Sequence, residues 1–312
     1  MRRLLFAAVP LLAASSLAAQ APAACATVPA IDSVSLLRDV FRLADDSMGG
    51  RHIGTIGAAK ARDYLAARFD ALGLGTVGDG RLQRVPVIPS PRLGNIDHTF
   101  NVIGLVRGTA APEKYIVVTA HYDHVGIGRP VGGDSLYNGA DDNASGAAAL
   151  AVLAQHFQRA PTRHSLLFVA VDGEERGMWG SRGFVEAPPV PLERIVLNVN
   201  LDMIGRNTQG ELYAAGPGRY PQLKSAIEAV TPCAPVKLRM GHDTDAAGRG
   251  SDWTTQSDHA AFHRKGIPFL YFGVEDHPDY HRPSDSADRL MPAFYINAVR
   301  TIAMAIREVD GR

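Results

Sequence analysis

From residue 33 onward the chain alternates between apolar positions at helical spacing and short, nearly continuous apolar runs. Val34, Leu37 and Phe41 recur at intervals of three and four, as do Ala61, Leu65, Phe69 and Leu72. That periodicity predicts two covering helices, the second stopped by Gly73. Apolar runs follow at 115–120, 166–171, 195–201 and 267–272. Such nearly continuous runs suit strands covered on both faces, which is the condition of parallel sheets. The alanine- and leucine-rich stretch 143–159 predicts a helix, and 292–309 a closing amphipathic helix with Phe294, Ala298, Ile302 and Ile306 on one stripe. The predicted fold class is therefore α/β, a mainly parallel mixed sheet flanked by helices on both faces. No internal repeat and no linker rich in proline, glycine or serine divides residues 29–312, which read as one domain.

Polar clusters follow the apolar runs. The first run leads into His121-Tyr122-Asp123, the second into Asp172-Gly173-Glu174-Glu175, the third into Asp202, and the fourth is soon followed by His277-Pro278-Asp279-Tyr280-His281. Ligands of open α/β sheets gather beyond the carboxyl ends of the strands, so these clusters are expected at one edge. Between the first two lies Gly139-Ala140-Asp141-Asp142-Asn143-Ala144-Ser145-Gly146, a turn into a helix. Histidines and carboxylates without cysteine suit zinc, cobalt or manganese. They include one carboxylate too many for a single tetrahedral ion, which points to two ions.

Each cluster alone has an ordinary explanation. A His-x-Asp is commonly a hydrogen-bonded surface pair, a Glu-Glu a solvated face, and Asp-Asp-Asn before a helix an N-cap. Asp202 differs, because a charge ending so apolar a run is costly to bury alone. All five in order, each at a strand end or helix start, favour the metal reading.

Composition narrows the class of function. The 312 residues carry 32 basic and 32 acidic side chains, so there is no long-range basic field for nucleic acid or an anionic membrane. Two cysteines exclude a disulfide scaffold or a cysteine-rich zinc module. Arg2 and Arg3 precede an apolar run from Leu4 through Leu17 that closes on small residues, the layout of a signal peptide over residues 1–20, cleaved near residues 18–21. The run is too short and alanine-rich for a membrane span, so no stable membrane association is expected. The localisation implied is secreted or periplasmic, where a disulfide between Cys25 and Cys233 is permitted.

Taken together, these motifs resemble the co-catalytic dinuclear zinc exopeptidases, a family that includes secreted bacterial leucyl aminopeptidases and plasma glutamate carboxypeptidase. The resemblance begins loosely at Asp45-Asp46-Ser47-Met48-Gly49-Gly50-Arg51 and is dense from Phe100-Asn101-Val102-Ile103-Gly104 to Asp288. It implies the zinc exopeptidase (phosphorylase/hydrolase-like) architecture and two zinc ions per chain. His121 and Asp202 would hold one ion, Glu175 and His281 the other, and Asp142 would bridge them. It further implies Glu174 as catalytic base, Asp123 as the partner orienting His121, and Tyr280 as a group polarising the scissile carbonyl, with peptides as substrates. Asp258-His259 and His277 receive no role, and His124, His156, His164, His242 and His263 read as ordinary histidines. Trp253, after the glycine-rich loop 241–252, reads equally as a pocket or a packing residue.

Three other readings compete. A single-zinc glutaminyl cyclase shares the fold but would not need His121. Neighbouring carboxypeptidases carry an inserted dimerisation domain, for which about sixty-five residues between Asp202 and the last strand leave no room. A catalytically silent ectodomain typically lacks ligands, and none is missing here.

Overall fold

The computed structural model describes residues 27–89, 95–244 and 251–312; the segment read as a signal peptide, and Cys25, lie outside the described residues. Helices α1 (Ser33–Leu43) and α2 (Ile56–Ala71) lead into strands β1 (Leu82–Pro86), β2 (His98–Val106) and β3 (Ala111–His121). A hairpin of β4 (Gly126–Val131) and β5 (Asp134–Tyr137) precedes the turn Ala140–Ser145 and α3 (Gly146–Arg159). Then come β6 (His164–Val171), α4 (Trp179–Glu186), β7 (Ile195–Leu201), β8 (Glu211–Ala215), α5 (Lys224–Val230) and β9 (Lys237–Met240). The chain closes with α6 (His259–Arg264), β10 (Phe269–Gly273) and α7 (Pro292–Asp310).

Eight strands form one sheet in the order β1-β2-β6-β3-β7-β10-β8-β9. Its centre, β6-β3-β7-β10, is parallel throughout, while β1, β2 and β8 pair antiparallel around it. These four central strands are the apolar runs of the sequence, and their alternation shows why each run is continuous. On β3, Ile116, Val118 and Ala120 face a core shared with α1, α2, α3 and α7, whereas Val117 faces a second core with Phe184 of α4 and Phe262 of α6. Both faces are buried, so the runs are mostly apolar, and their polar exceptions, Thr119, Asn198 and Asn200, are buried and hydrogen-bonded to one another and to Ser257. Between Asp202 and β10 the described residues supply β8 and β9 to the same sheet and otherwise only short helices. Among the described residues no helix is long and apolar enough to cross a membrane. Cys233 is disulfide-bonded.

Two expectations need correction. The apolar stripe of α1 is not Val34, Leu37 and Phe41, since Val34 is 76% and Phe41 48% exposed; the buried face is Leu36, Val40 and Leu43. Both triplets have helical spacing, and tertiary packing chose between them. The helix expected from residue 143 begins at Gly146, because Asn143 is occupied otherwise: its Oδ1 accepts the Gly146 N–H at 2.9 Å.

The two faces of α1 make a direct comparison. Leu36→Ala should destabilise the protein by about 2–5 kcal/mol, the range for truncating a buried leucine, while Val34→Ala should stay within about 0.5 kcal/mol. Urea unfolding of both variants checks this, and equal losses would contradict the assignment of the faces.

Candidate metal centre

The four parallel strands end at one edge, and the loops leaving them carry the polar clusters. His121 is the last residue of β3, Asp202 follows β7, Glu174 and Glu175 follow β6, and His281 lies in the loop after β10. The Ala140–Ser145 turn brings Asp142 between them. Its Oδ1 lies 3.3 Å from His121 Nε2, which is 3.4 Å from Asp202 Oδ1. Its Oδ2 lies 3.0 Å from His281 Nε2, itself 3.1 Å from Glu175 Oε2. His124 joins the second group, with Nδ1 2.7 Å from Glu175 Oε1 and 3.6 Å from Asp142 Oδ2. The donors thus form two sets, His121, Asp142, Asp202 and His124, Asp142, Glu175, His281, that share one aspartate.

These sets fit zinc. Ligands about 2.0–2.1 Å from one tetrahedral ion lie about 3.3–3.4 Å from each other, close to the separations of 2.7–3.6 Å found here. Buried polar atoms are ordinarily hydrogen-bonded, yet both ring nitrogens of His124, Glu175 Oε1 and Asp202 Oδ1 make no hydrogen bond. Each set thus holds a buried donor atom without a hydrogen bond, Glu175 Oε1 and His124 Nδ1 in one and Asp202 Oδ1 in the other, which a cation would satisfy.

The turn is held from three sides. Asp285 accepts the backbone N–H groups of Asp141 and Asp142 at 3.0 Å each. Asp141 accepts the Gly205 N–H at 2.6 Å and lies 3.1 Å from His277 Nε2, while the Asn143 amide donates to Leu201 O at 2.8 Å, at the end of β7. From below, the fully buried Arg51 guanidinium donates to the carbonyls of Leu43, Tyr122, Asn138 and Gly139 at 2.6–2.8 Å, binding the two ligand loops to each other. Asp123 accepts the Glu174 and Glu175 N–H groups at 3.0 and 3.3 Å.

The electrostatics follow from this crowding. Burial alone would push the His121 imidazole down, yet the Asp202, Asp123 and Asp142 carboxylates hold it well above the usual range. His281 is raised to about 10 against its own burial, by Asp142 and Glu175. Burial, resisted by the surrounding carboxylates, brings Arg51 down to about 10. Desolvation in the cleft raises the Glu174 carboxyl well above the usual range, helped by Asp258, Asp202 and Glu175 and opposed by His121. Tyr280 is raised by burial and by the Asp142, Asp202 and Glu175 carboxylates, so its hydroxyl keeps its proton.

Residues 101–306 match the model of peptidase family M28. The chain belongs to peptidase family M28. This M28 chain is 30% identical to aminopeptidase YwaD of Bacillus subtilis over 203 residues, 61% of this chain and 40% of that protein. It spans half or less of the length of the relatives it matches. A zinc aminopeptidase structure from Bacillus subtilis superposes with a TM-score of 0.69 and 18% identity over 90% of this chain and 96% of that one. A glutaminyl cyclase from Porphyromonas gingivalis gives 0.72 and 19% over 89% and 99%. Both likenesses establish the zinc aminopeptidase fold, and neither alone selects an activity.

The structure brings together His121, Asp142, Asp202, Glu175 and His281, all expected from the motifs. Glu174 and Tyr280 line the same small cleft, of about 60 Å³, together with Trp253. Trp253 also stacks on His242 at 3.7 Å, so it both packs and faces the pocket. Asp123 stands beside His121 Nδ1 through its carboxylate, at 3.7 Å, and its backbone carbonyl, at 3.2 Å. Asp141 is a buried brace and not an N-cap. Sequence reasoning missed His124, Asp285 and the bracing by Arg51. Only His124 gave a signal, adjoining His121-Tyr122-Asp123; the other two act on backbone atoms from 88 and 144 positions away in the chain.

Arg51 is testable by itself. Arg51→Lys keeps the charge but cannot reach four carbonyls, and each buried carbonyl left unpaired costs about 1–3 kcal/mol. Urea unfolding of chelated protein should show a loss of about 3 kcal/mol or more; a loss below about 0.5 kcal/mol would show that the fork does not brace the loops.

Proposed function

We propose that this M28 chain is an exported metallo-aminopeptidase that removes N-terminal residues from peptides with two zinc ions. The observation that carries the proposal is the single carboxylate, Asp142, facing two ligand sets through its two oxygens. Two further facts support it: the similarity to aminopeptidase YwaD, and a cleft beside the ligands that contains an acid belonging to neither set. Export rests on the signal-like layout of residues 1–20.

The residues divide the work as follows. His121, Asp142 and Asp202 would hold one ion, with Asp142, Glu175 and His281 holding the other. The chemistry that such a pair supplies when bound is a lowered pKa for water and stabilisation of charge developing on a carbonyl oxygen. Glu174 accepts the proton of the attacking water and returns it to the departing amine; a carboxyl raised by its surroundings is suited to both halves of that transfer. Asp123 positions this base by accepting its backbone N–H. Tyr280, protonated and stacked on His281 with ring centroids 4.0 Å apart, presents a donor at the cleft for the scissile carbonyl.

Glu174→Gln tests the base. The variant should retain wild-type metal content while kcat on a chromogenic aminoacyl substrate falls by about a hundredfold or more, the scale of a general base. An N-blocked version of that substrate should not be cleaved by either protein. Undiminished turnover would remove Glu174 from the mechanism, and preferential cleavage of the blocked substrate would remove the aminopeptidase reading.

A further inference from the structure

His124 is fully buried beside one ligand set, and both its ring nitrogens lack a hydrogen-bond partner. A neutral histidine placed only to fill space would leave one buried donor and one buried acceptor unsatisfied, an expensive choice. Its Nδ1 points to the space between Glu175 Oε1, at 2.7 Å, and Asp142 Oδ2, at 3.6 Å, and Glu175 Oε1 is itself without a hydrogen bond. A second, independent feature keeps the ring there. Gly139 has φ +57°, and a Cβ at that position would run into both the Asp142 backbone oxygen and the His124 ring, so the turn carrying Asp142 packs directly on the imidazole. The His124 backbone N–H donates to Arg51 O at 3.3 Å, which fixes the residue's own main chain to the brace beneath it.

We propose that His124 is a metal ligand, so that the two ion sites differ in kind. One is closed by four protein side chains, His124, Asp142, Glu175 and His281; the other, His121, Asp142 and Asp202, has three and keeps a coordination position open. This rests on the reading of the centre as dinuclear and adds to it a division of labour. Four protein ligands mark a structural zinc site, and three with an open position mark a catalytic one. The closed site therefore binds more tightly, fills first and anchors Asp142, and the open position lies on the His121 side.

The experiment is zinc titration of metal-free protein against a chromophoric chelator, for wild type, His124→Ala and His124→Gln, with circular dichroism confirming folding. Wild type should take up two ions in two steps. Loss of a partner one shell out commonly weakens metal binding 10–100-fold, so loss of a direct ligand should weaken the tighter step by about a hundredfold or more, with the weaker step moving much less. One equivalent of cobalt(II) adds a readout independent of activity: the intense absorption of a four-coordinate ion in wild type should weaken in the variants as water enters. If His124→Ala fails to fold, His124→Gln decides. Wild-type affinities and spectra in a folded variant, beside a wild type that binds two ions, would overturn the role of His124 alone. A wild type that binds no ion would overturn the dinuclear reading and this inference together.

Discussion

The arrangement depends on one carboxylate being held between two groups of like and unlike charges. Asp142 meets histidines through each oxygen, but Glu175 and Asp202 approach the same space, and carboxylates about 4 Å apart repel by about 4 kcal/mol at an effective dielectric constant near 20. The His121 and His281 imidazoles, both raised by these carboxylates, lie against them at 3.0–3.4 Å, while Arg51 makes its hydrogen bonds to backbone carbonyls. The loops stay in place through bonds made by main-chain atoms: Arg51 beneath, Asp285 on the N–H groups of the turn, and Asn143 on the end of β7. Ions bound only by the folded state would add their binding free energy to its stability.

The sheet explains how so many acids reach one place. Parallel strands deliver their carboxyl ends to a common edge, and β6, β3, β7 and β10 are neighbours in space although far apart in sequence. Each contributes one or two side chains, and the facing pairs His121–Asp202 and Glu175–His281 lie far apart in the chain. Gly139 and Arg51 then set how closely the intervening turn approaches.

Those four strands were legible because burial on both faces leaves few polar residues in a run, a pattern no surface helix produces. The outer strands β1, β8 and β9 were not: β1 has one buried residue in five, and β8 and β9 are short, so neither length nor alternation separates them from loops. The α1 helix was legible and its buried face was not, since Val34, Leu37, Phe41 and Leu36, Val40, Leu43 satisfy the same spacing. At the site, the five residues read as ligands from the motifs lie together, as their places at strand ends and in the turn before α3 implied. His124 was passed over because the motif resemblance assigned no role to that position, and Asp285 because a residue that grips backbone N–H groups leaves no local mark in sequence.

The central claim is that Asp142 stands between two ions. Crystals grown with zinc and measured on both sides of the zinc absorption edge test it most directly. Two anomalous peaks about 3.5–4 Å apart, the spacing of two-metal hydrolytic sites, one beside each Asp142 oxygen, are predicted; a single peak, or two that leave Asp142 uncoordinated, would contradict the account.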